Sequence, residues 1–328
     1  MQWFTEFEIP QSPFPISHQS KVLSMGSCFA QSMGEKMEEH KFDIFINPFG
    51  TIFHPLALRD LLDLAIRRNP IDEKLILERD ETYFHYLAHS DLFGKSEAEL
   101  LEKFSHQLEI TREYLSKGSH LILTFGTSWI YELQENIRVA NCHKQPQKIF
   151  RKRLTGLEEM ENTMAELLKQ LTGSNPKLKV ILTVSPVRHI KDGIPENQLS
   201  KSLLRVLCSK LEEQFSFVNY FPSYEIMMDE LRDYRFYKSD RIHPTEEAES
   251  YIWKKWKSSF FSTATQETIG KISKIQRELV HRPLNPESPS HLKFLQNLLQ
   301  KLERLNEEFD FSKEIKFVSE SLNPPNLP

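Results

Sequence analysis

Residues 21–30 read Lys21-Val22-Leu23-Ser24-Met25-Gly26-Ser27-Cys28-Phe29-Ala30. An apolar run ends at Gly26, and a helical pattern follows over 30–40, so the stretch predicts a strand, a tight turn and a helix. Backbone N–H groups at a helix N-terminus stabilise an anion or a thiolate, which would make a cysteine here a competent nucleophile. The alternative that Ser27 is a helix cap and Cys28 a buried residue stays open at this point.

Further apolar runs of strand length follow along the chain, at 42–46, 120–125, 179–184 and 217–221. Helical patterns lie between them, at 56–68, 97–115, 157–171 and 198–215. This alternation predicts a parallel sheet with helices on both faces, a three-layer α/β/α sandwich. Ligands bind outside the carboxyl ends of such strands, so we expect the site at the loops that begin at Gly26, Asn47, Gly126 and Ser185. Residues 130–133 and 137–140 look like a hairpin inserted after the third strand.

The composition changes after residue 261. Polar, Lys/Glu-rich helical patterns cover 265–282 and 290–309, with prolines between them. We therefore expect two domains, a sheet domain over 15–261 and a helical C-terminal extension over 262–328. The extension could serve a partner or a homodimer.

The bulk composition excludes several classes of protein. The net charge is −4, and short basic runs such as Arg151-Lys152-Arg153 are taken as solvated surface, so we expect no nucleic-acid partner. We expect no membrane span, because no apolar run is long enough. The first ten residues lack the pattern of a secretory signal, and three unpaired cysteines fit a reducing compartment, so we expect a cytoplasmic protein.

A second motif is Asp240-Arg241-Ile242-His243, followed by Pro244. An aspartate and a histidine three residues apart can share one turn, with the carboxylate orienting the imidazole as in a catalytic triad. A surface turn with a capping aspartate is the alternative, and alone the motif would favour it.

Taken together, the motifs resemble the SGNH/GDSL hydrolases, in which a nucleophile follows the first strand and D-x-x-H lies near the domain end. The string from Gly26 to Ala30 resembles the signature of the GSCFA family within that superfamily. Further similar segments are residues 47–51, 89–90, 125–129, 141–144, 185–189 and 233–237. The resemblance covers roughly residues 15–260 and implies an SGNH-hydrolase-like fold.

The resemblance also implies roles for particular residues. Aligned without a gap, the nucleophile position falls on Cys28, with Ser27 the other candidate; we expect Cys28 to ionise near neutral pH. Asp240 and His243 would be the orienting acid and the base. The family's oxyanion asparagine is replaced by Ser128, and the backbone N–H groups of Cys28 and Gly50 would complete the oxyanion site.

Several other residues are candidates for this site. Asn47 or Asn141 could supply the missing donor, and His89, His143 and His189 are further candidates. A metal site built from these histidines and His243 is disfavoured by their spacing. Arg188, just past the fourth strand, could hold a substrate carboxylate or phosphate, or could form a salt bridge to an acid such as Asp192.

We therefore expect a hydrolase, an esterase, deacylase or acyltransferase, that acts on a small-molecule or glycan acyl ester. It would need no metal and no organic cofactor. The alternative is a non-catalytic binding or scaffold protein on the same fold, which recruits partners through its C-terminal helices.

Overall fold

The structure is a computed structural model that describes residues 5–322, apart from the side chain of Glu135. Its strands are β1 Lys21–Gly26, β2 Asp43–Ile46, β3 Ile76–Arg79, β4 Thr82–His85, β5 His120–Phe125, β6 Trp129–Glu132, β7 Arg138–Val139, β8 Arg151–Leu154, β9 Lys179–Val184 and β10 Val218–Phe221. Its α-helices are α1 Cys28–Glu39, α2 Pro55–Arg67, α3 Glu97–Lys117, α4 Leu157–Ser174, α5 Ile194–Gln214, the single turn α6 Ser223–Glu225, α7 Glu246–Phe260, α8 Thr263–Leu279, α9 Pro289–Leu305 and α10 Ser312–Leu322.

The central sheet has five strands in the order β10-β9-β5-β1-β2, and every neighbouring pair is parallel. This confirms the predicted parallel sheet. Counted along the chain, the order is 2-1-3-4-5, the doubly wound arrangement whose strand order reverses beside the first strand. The reversal opens a crevice at the carboxyl ends of β1 and β5, where Gly26 and Gly126 lie.

Helices cover both faces of the sheet because its central strands are apolar on both sides. All six residues of β5 are buried, and only the first residue of β1 and of β9 is partly exposed. One face, which includes Leu123 and Leu182, packs in one cluster with side chains of α2, α3, α4 and α5. On the opposite face, Ile122 and Thr124 line a narrow gap under α1 and α7. Burial of this kind stabilises the fold by about 25 cal/mol per Å² of apolar surface.

Two small sheets lie outside the central sheet, and the antiparallel pairing of β6 with β7 in one of them confirms the hairpin predicted at 130–133 and 137–140. β3 and β4 form an antiparallel hairpin, and β8 pairs with β6 beside β7. The basic run 151–153 lies in β8, where Arg151 is exposed and Lys152 and Arg153 are partly exposed. Arg153 is accommodated there because its guanidinium pairs with Glu132 at 2.8 Å and with Glu159 at 2.7 Å.

The described residues divide into two compact units, one of residues up to 38 together with 42–260, and one of 39–41 together with residues from 261 on. The second unit has its own apolar cluster, which includes Ile272, Leu298 and Val318. It contains three helices rather than the two that the sequence predicted. The predicted helices correspond to α8 and α9, and α10 is the additional one. Across residues 5–322, no helix is long and apolar enough to cross a membrane.

Candidate active site

The turn after β1 requires glycine. The φ angle of Gly26 is +148°, and a Cβ atom there would lie 2.2 Å from the carbonyl oxygen of Thr124. The Gly26 N–H donates to Oδ1 of Asn47 at 2.9 Å, and its carbonyl accepts from the N–H of Ile52 at 2.9 Å. Both the positive φ angle and the lack of space for a Cβ atom exclude any residue other than glycine. The chain therefore makes a fixed, sharp turn directly before Ser27 and Cys28.

Ser27 and Cys28 have different environments. Ser27 is completely buried, and its Oγ accepts a hydrogen bond from the N–H of Phe29 at 3.3 Å, so it caps α1. Cys28 is the first residue of α1 and is partly exposed. Of the two candidates, only Cys28 is open to a substrate in this structure.

The electrostatics of Cys28 differ from the sequence expectation. Burial raises the pKa of its thiol above the ordinary value, and Glu249 acts in the same direction. The backbone N–H groups of Cys28 and Phe29, together with the charge of Lys201, act to lower that pKa but do not outweigh the burial. The structure therefore does not support the expected ionisation of the Cys28 thiol near neutral pH.

Asp240 and His243 form one hydrogen-bonded turn. The Oδ1 atom of Asp240 accepts from the N–H groups of Ile242 at 2.8 Å and His243 at 3.0 Å. Its Oδ2 lies 2.7 Å from Nδ1 of His243. These bonds hold the pKa of Asp240 well below its usual range, the side-chain bond from His243 contributing most. A carboxylate can only accept, so Nδ1 carries the ring proton and Nε2 presents a lone pair.

Contacts within the sheet unit bring this turn and Cys28 to the same edge. The Oγ of Ser32, one turn into α1, lies 3.4 Å from the carbonyl oxygen of Cys28 and donates to Oε1 of Glu249 at 3.0 Å. Glu249 belongs to the first turn of α7, which begins three residues after His243. On the other side, the N–H of Arg188 donates to the carbonyl of Ile242 at 3.2 Å. The D-x-x-H turn is thus held between α1 and the segment that follows β9.

His189 lies above Gly126, at the carboxyl end of β5. Its Nε2 is 3.0 Å from the place that a Cβ of Gly126 would occupy, and its ring contacts Phe53 edge-on at 5.1 Å. The Nε2 atom is buried and has no hydrogen-bond partner among residues 5–322. Burial lowers the pKa of His189 to about 3, helped by the charges of Lys201 and His243, so the ring is neutral at ordinary pH.

Residues 21–256 match the GSCFA family, and residues 272–324 match the C-terminal domain of GSCFA domain proteins. The chain belongs to the GSCFA family. The first match includes all five strands of the central sheet and both parts of the candidate site, and the second falls within the C-terminal helical unit. No curated protein matches the chain.

Several of the expected oxyanion donors of this GSCFA chain are engaged elsewhere. The N–H of Gly50 donates to the carbonyl of Asn47 at 2.8 Å. Ser128 is fully buried, and its hydroxyl donates to the carbonyl of Ser200 at 2.9 Å. Asn47 uses its Oδ1 to fix Gly26 and its Nδ2 to reach Gln31 at 3.2 Å. These three residues shape the turn and the loops around the site rather than pointing a free donor into it.

Asn141 and His143 lie beside β4 and the loop that follows it. Oδ1 of Asn141 accepts from the N–H of His143 at 2.8 Å. The ring of His143 spans Ser90 and the carbonyl of His85, and burial lowers its pKa to about 4. His89 packs its Cβ against Gly50. Among residues 5–322, no group of three or more His, Cys, Asp or Glu side chains could hold a metal.

Arg188 lies at the rim of a pocket beside the D-x-x-H turn. The pocket has a volume of about 180 Å³, and its walls include Arg188, Met227, Leu231, Tyr234 and Tyr237. The Nη1 of Arg188 donates to the carbonyl of Arg241 at 3.1 Å, and its guanidinium lies 5.5 Å from the centre of the Tyr237 ring.

The salt bridge considered for Arg188 does not form. Asp192, the proposed partner, pairs with Lys152 instead. Across the described part of the chain, no carboxylate lies within ion-pair distance of Arg188. Its charge therefore remains available at the pocket.

Lys201 is the site residue that sequence reasoning missed. It lies on the buried stripe of α5 with Asn197, Leu204 and Cys208, at spacings of three, four and seven residues. A lysine within an apolar helical stripe is unusual, and that position was the available signal.

Proposed function

We propose that this GSCFA protein is a thiol-dependent acyl-ester hydrolase or acyltransferase of the SGNH type. One observation carries the proposal. A partly exposed cysteine at a helix N-terminus lies at the reversal point of the sheet, and a histidine oriented by Asp240 is held at the same edge. A nucleophile, a base and an orienting acid are the groups that acyl transfer requires.

The reaction follows from the protonation states. Nε2 of His243 takes the proton of the Cys28 thiol as the sulfur attacks the acyl carbonyl. The tetrahedral intermediate collapses, the alcohol leaves with the proton from His243, and a thioester remains on Cys28. Water, or an acceptor alcohol, then attacks the thioester while His243 again accepts and returns one proton. Asp240 stays ionised throughout and holds the imidazolium that forms twice in the cycle.

The oxyanion of the tetrahedral intermediate needs donors that are not used elsewhere. The N–H of Cys28 at the start of α1 is one, since the first N–H groups of a helix have no partner within the helix. The buried Nε2 of His189 is the second when it carries the ring proton, because it has no other partner in the described residues. A neutral imidazole can donate this bond without titrating during the reaction.

The pocket at Arg188 favours a particular class of acyl ester. A cavity of about 180 Å³ accommodates a group of roughly the size of a six-membered ring. Met227, Leu231 and the two tyrosines would contact its apolar part. The unpaired guanidinium of Arg188 would bind a carboxylate or phosphate on the same molecule. The proposed substrate is therefore a small or glycan-linked acyl ester with an apolar portion and an anionic group.

A panel of chromogenic esters tests the proposal. We expect slow hydrolysis of short acyl esters by the wild-type chain and loss of at least 99% of that rate in Cys28→Ala. Cys142→Ala is the matched control, because Cys142 lies outside the site and should keep the full rate. If the purified chain cleaves no ester, or if Cys28→Ala keeps the wild-type rate, the catalytic proposal fails and the binding-protein alternative takes its place.

A further inference from the structure

The pocket beside the D-x-x-H turn has an irregular helix as one wall. Residues Ile226–Glu230 form a π-helix, in which the N–H of Leu231 donates to the carbonyl of Ile226 at 2.9 Å. Helical turns of this kind are rare and occur frequently at functional sites. Met227, Met228 and Leu231 of this segment all line the pocket.

The π-helical turn is anchored from the side opposite the pocket. Glu230 is buried, and its Oε1 accepts from the N–H of Phe7 at 2.9 Å and pairs with Lys255 at 3.1 Å. Its Oε2 accepts from the hydroxyl of Tyr251 at 2.7 Å. The wall is therefore fixed before any ligand arrives, which reduces the free-energy cost of binding a small molecule.

The other side of the pocket is aromatic. The rings of Tyr234 and Tyr237 lie with their centres 6.1 Å apart, and Tyr234 is 59% exposed. The hydroxyl of Tyr237 donates to the sulfur of Met228 at 3.8 Å, which joins the two walls. An aromatic side chain that is mostly exposed in the wall of a pocket presents a free ring face to a ligand.

Arg188 lies beside both rings. Its guanidinium is 5.5 Å from the centre of the Tyr237 ring and 6.0 Å from that of Tyr234. These distances are near the outer limit for a cation–π contact, so the guanidinium does not closely cover either ring.

The other charged groups of the wall are already engaged. Arg232 pairs with Asp229 at 2.6 Å. Oδ1 of Asp233 accepts from the N–H of Arg235 at 2.9 Å and caps the short helix that follows. Arg188 is therefore the cation of the wall whose charge is left for a ligand. A single guanidinium matches the one negative charge of a carboxylate and can bind both of its oxygens.

The side chains of the wall favour an aromatic ring over an alkyl group. Tyrosine rings, methionine sulfurs and a guanidinium each attract the face or edge of an aromatic ring beyond the gain from burial alone. Of the described residues in the wall, only Leu231 is aliphatic. The volume of about 180 Å³ accommodates one six-membered ring with a substituent.

We propose that this pocket is a binding site for an aromatic carboxylate, so that the acyl ester acted on by the protein carries an aromatic ring with a carboxylate. The ring would lie between the two tyrosines and the two methionines, and the carboxylate would pair with Arg188. The backbone of Arg188 bonds to Ile242, so the ligand would lie directly beside the turn that holds His243. The inference deepens the proposed function and rests on it only for the purpose of the pocket, because binding is measurable without turnover.

Binding of small acids to the wild-type chain at pH 7.5, followed by ligand-observed NMR, is the test. Benzoate and cyclohexanecarboxylate have nearly the same size and the same charge. The saturated ring is at least as apolar, so burial alone predicts no preference for benzoate. We expect benzoate to bind at least about fivefold tighter than cyclohexanecarboxylate. Benzyl alcohol, the neutral analogue, should bind about tenfold more weakly than benzoate because it cannot pair with the guanidinium.

Three variants assign the binding to this pocket. Tyr234→Leu and Met228→Leu should each move the ratio of the two acid affinities toward one, because each puts an alkyl group where an aromatic ring or a sulfur lay. Both side chains are exposed, at 59% and 36%, so the fold should tolerate the changes. Arg188→Gln should weaken benzoate to the level of benzyl alcohol. Phe93→Leu is the control, because Phe93 is 43% exposed but packs against Phe84 rather than lining the pocket.

The inference is overturned if neither acid binds, or if benzoate binds no tighter than cyclohexanecarboxylate. A preference that survives both Tyr234→Leu and Met228→Leu, or a benzoate affinity that Arg188→Gln leaves unchanged, overturns it as well. The outcomes separate this inference from the proposed function. A preference for benzoate without ester turnover leaves the aromatic-acid site and removes only the hydrolase, whereas ester turnover without the preference removes only the aromatic ligand.

Discussion

Nδ1 of His243 lies 2.7 Å from Oδ2 of Asp240, and the same carboxylate also accepts two backbone N–H groups of its own turn. The two backbone bonds fix the carboxylate, and the third bond fixes the imidazole in one tautomer and one orientation. The arrangement leaves Nε2 as the atom that can accept a proton at the edge of the sheet where Cys28 begins α1.

His243→Ala should lower ester turnover by about 1000-fold, because it removes the proton acceptor. Asp240→Asn should lower turnover by a smaller factor, since the base remains but its orientation is lost. Steady-state rates on the best ester of the panel provide the measurement. His106→Ala is the matched control, because His106 is exposed on α3 and should keep the wild-type rate. If His243→Ala turns over the ester at the wild-type rate, His243 is not the base and the proposed triad is wrong.

Ser27→Ala should affect stability rather than chemistry. Loss of the N-cap of α1 should cost about 1 kcal/mol of the free energy of unfolding, measured by urea titration. Turnover should stay within about threefold of wild type, because the hydroxyl is buried. The opposite pattern, full stability with abolished turnover, would make Ser27 the nucleophile and Cys28 a packing residue.

Arg188→Gln should discriminate between substrates. For an ester that carries a carboxylate, KM should rise by about tenfold or more, since a charge-assisted hydrogen bond is lost. For the neutral ester of the same shape, KM should change little. Arg232→Gln is the control, because Arg232 lines the same pocket but pairs with Asp229 at 2.6 Å. Equal changes for the two esters would exclude recognition of an anion at Arg188.

Stability should fall as the pH falls below about 6.5. Burial lowers the pKa of His54 to about 3 and that of His120 to about 4, from 6.5. Because the folded pKa values lie below the unfolded ones, protons bind the unfolded chain first as the pH drops from 6.5 toward 4. Protonation of each histidine in the unfolded chain then lowers the free energy of unfolding by up to about 1.4 kcal/mol per pH unit.

The His54→Asn variant isolates one such contribution. Nδ1 of His54 caps α2 by accepting from the N–H of Leu56 at 3.0 Å, and asparagine can cap a helix in the same way without titrating. Urea titrations at pH 7 and pH 5 should therefore show a smaller acid loss in His54→Asn than in wild type. Equal losses in the two proteins would show that His54 is not a neutral buried residue.

The sheet was predictable from the sequence because its strands are apolar runs with ends at Gly26, Gly126 and Ser185. The order of the strands in the sheet was not predictable, since it depends on pairing between distant segments and on which helix covers which face. β8 was missed because three basic residues in a row do not form an apolar strand pattern, and the pairing of Arg153 with Glu132 across the sheet is not visible in the local sequence.

Cys28, Asp240 and His243 were found in the sequence because their motifs are short and continuous. The environments of these residues could not be predicted from the sequence. Burial of the thiol and the use of the Ser128 hydroxyl for a bond to Ser200 both arise from contacts between segments far apart in the chain. For this reason the sequence predicted the residue types of the site better than their ionisation.

The central claim is that Cys28 forms an acyl-enzyme, and trapping that intermediate tests it most directly. The chain is mixed with a reactive short-chain ester, quenched in acid within seconds, and fragmented for mass spectrometry, with and without neutral hydroxylamine. The account predicts one acyl group on Cys28 that hydroxylamine removes, as expected of a thioester, and none on Cys28→Ala. An acyl group on Ser27 that resists neutral hydroxylamine, or an adduct that persists in Cys28→Ala, would contradict it.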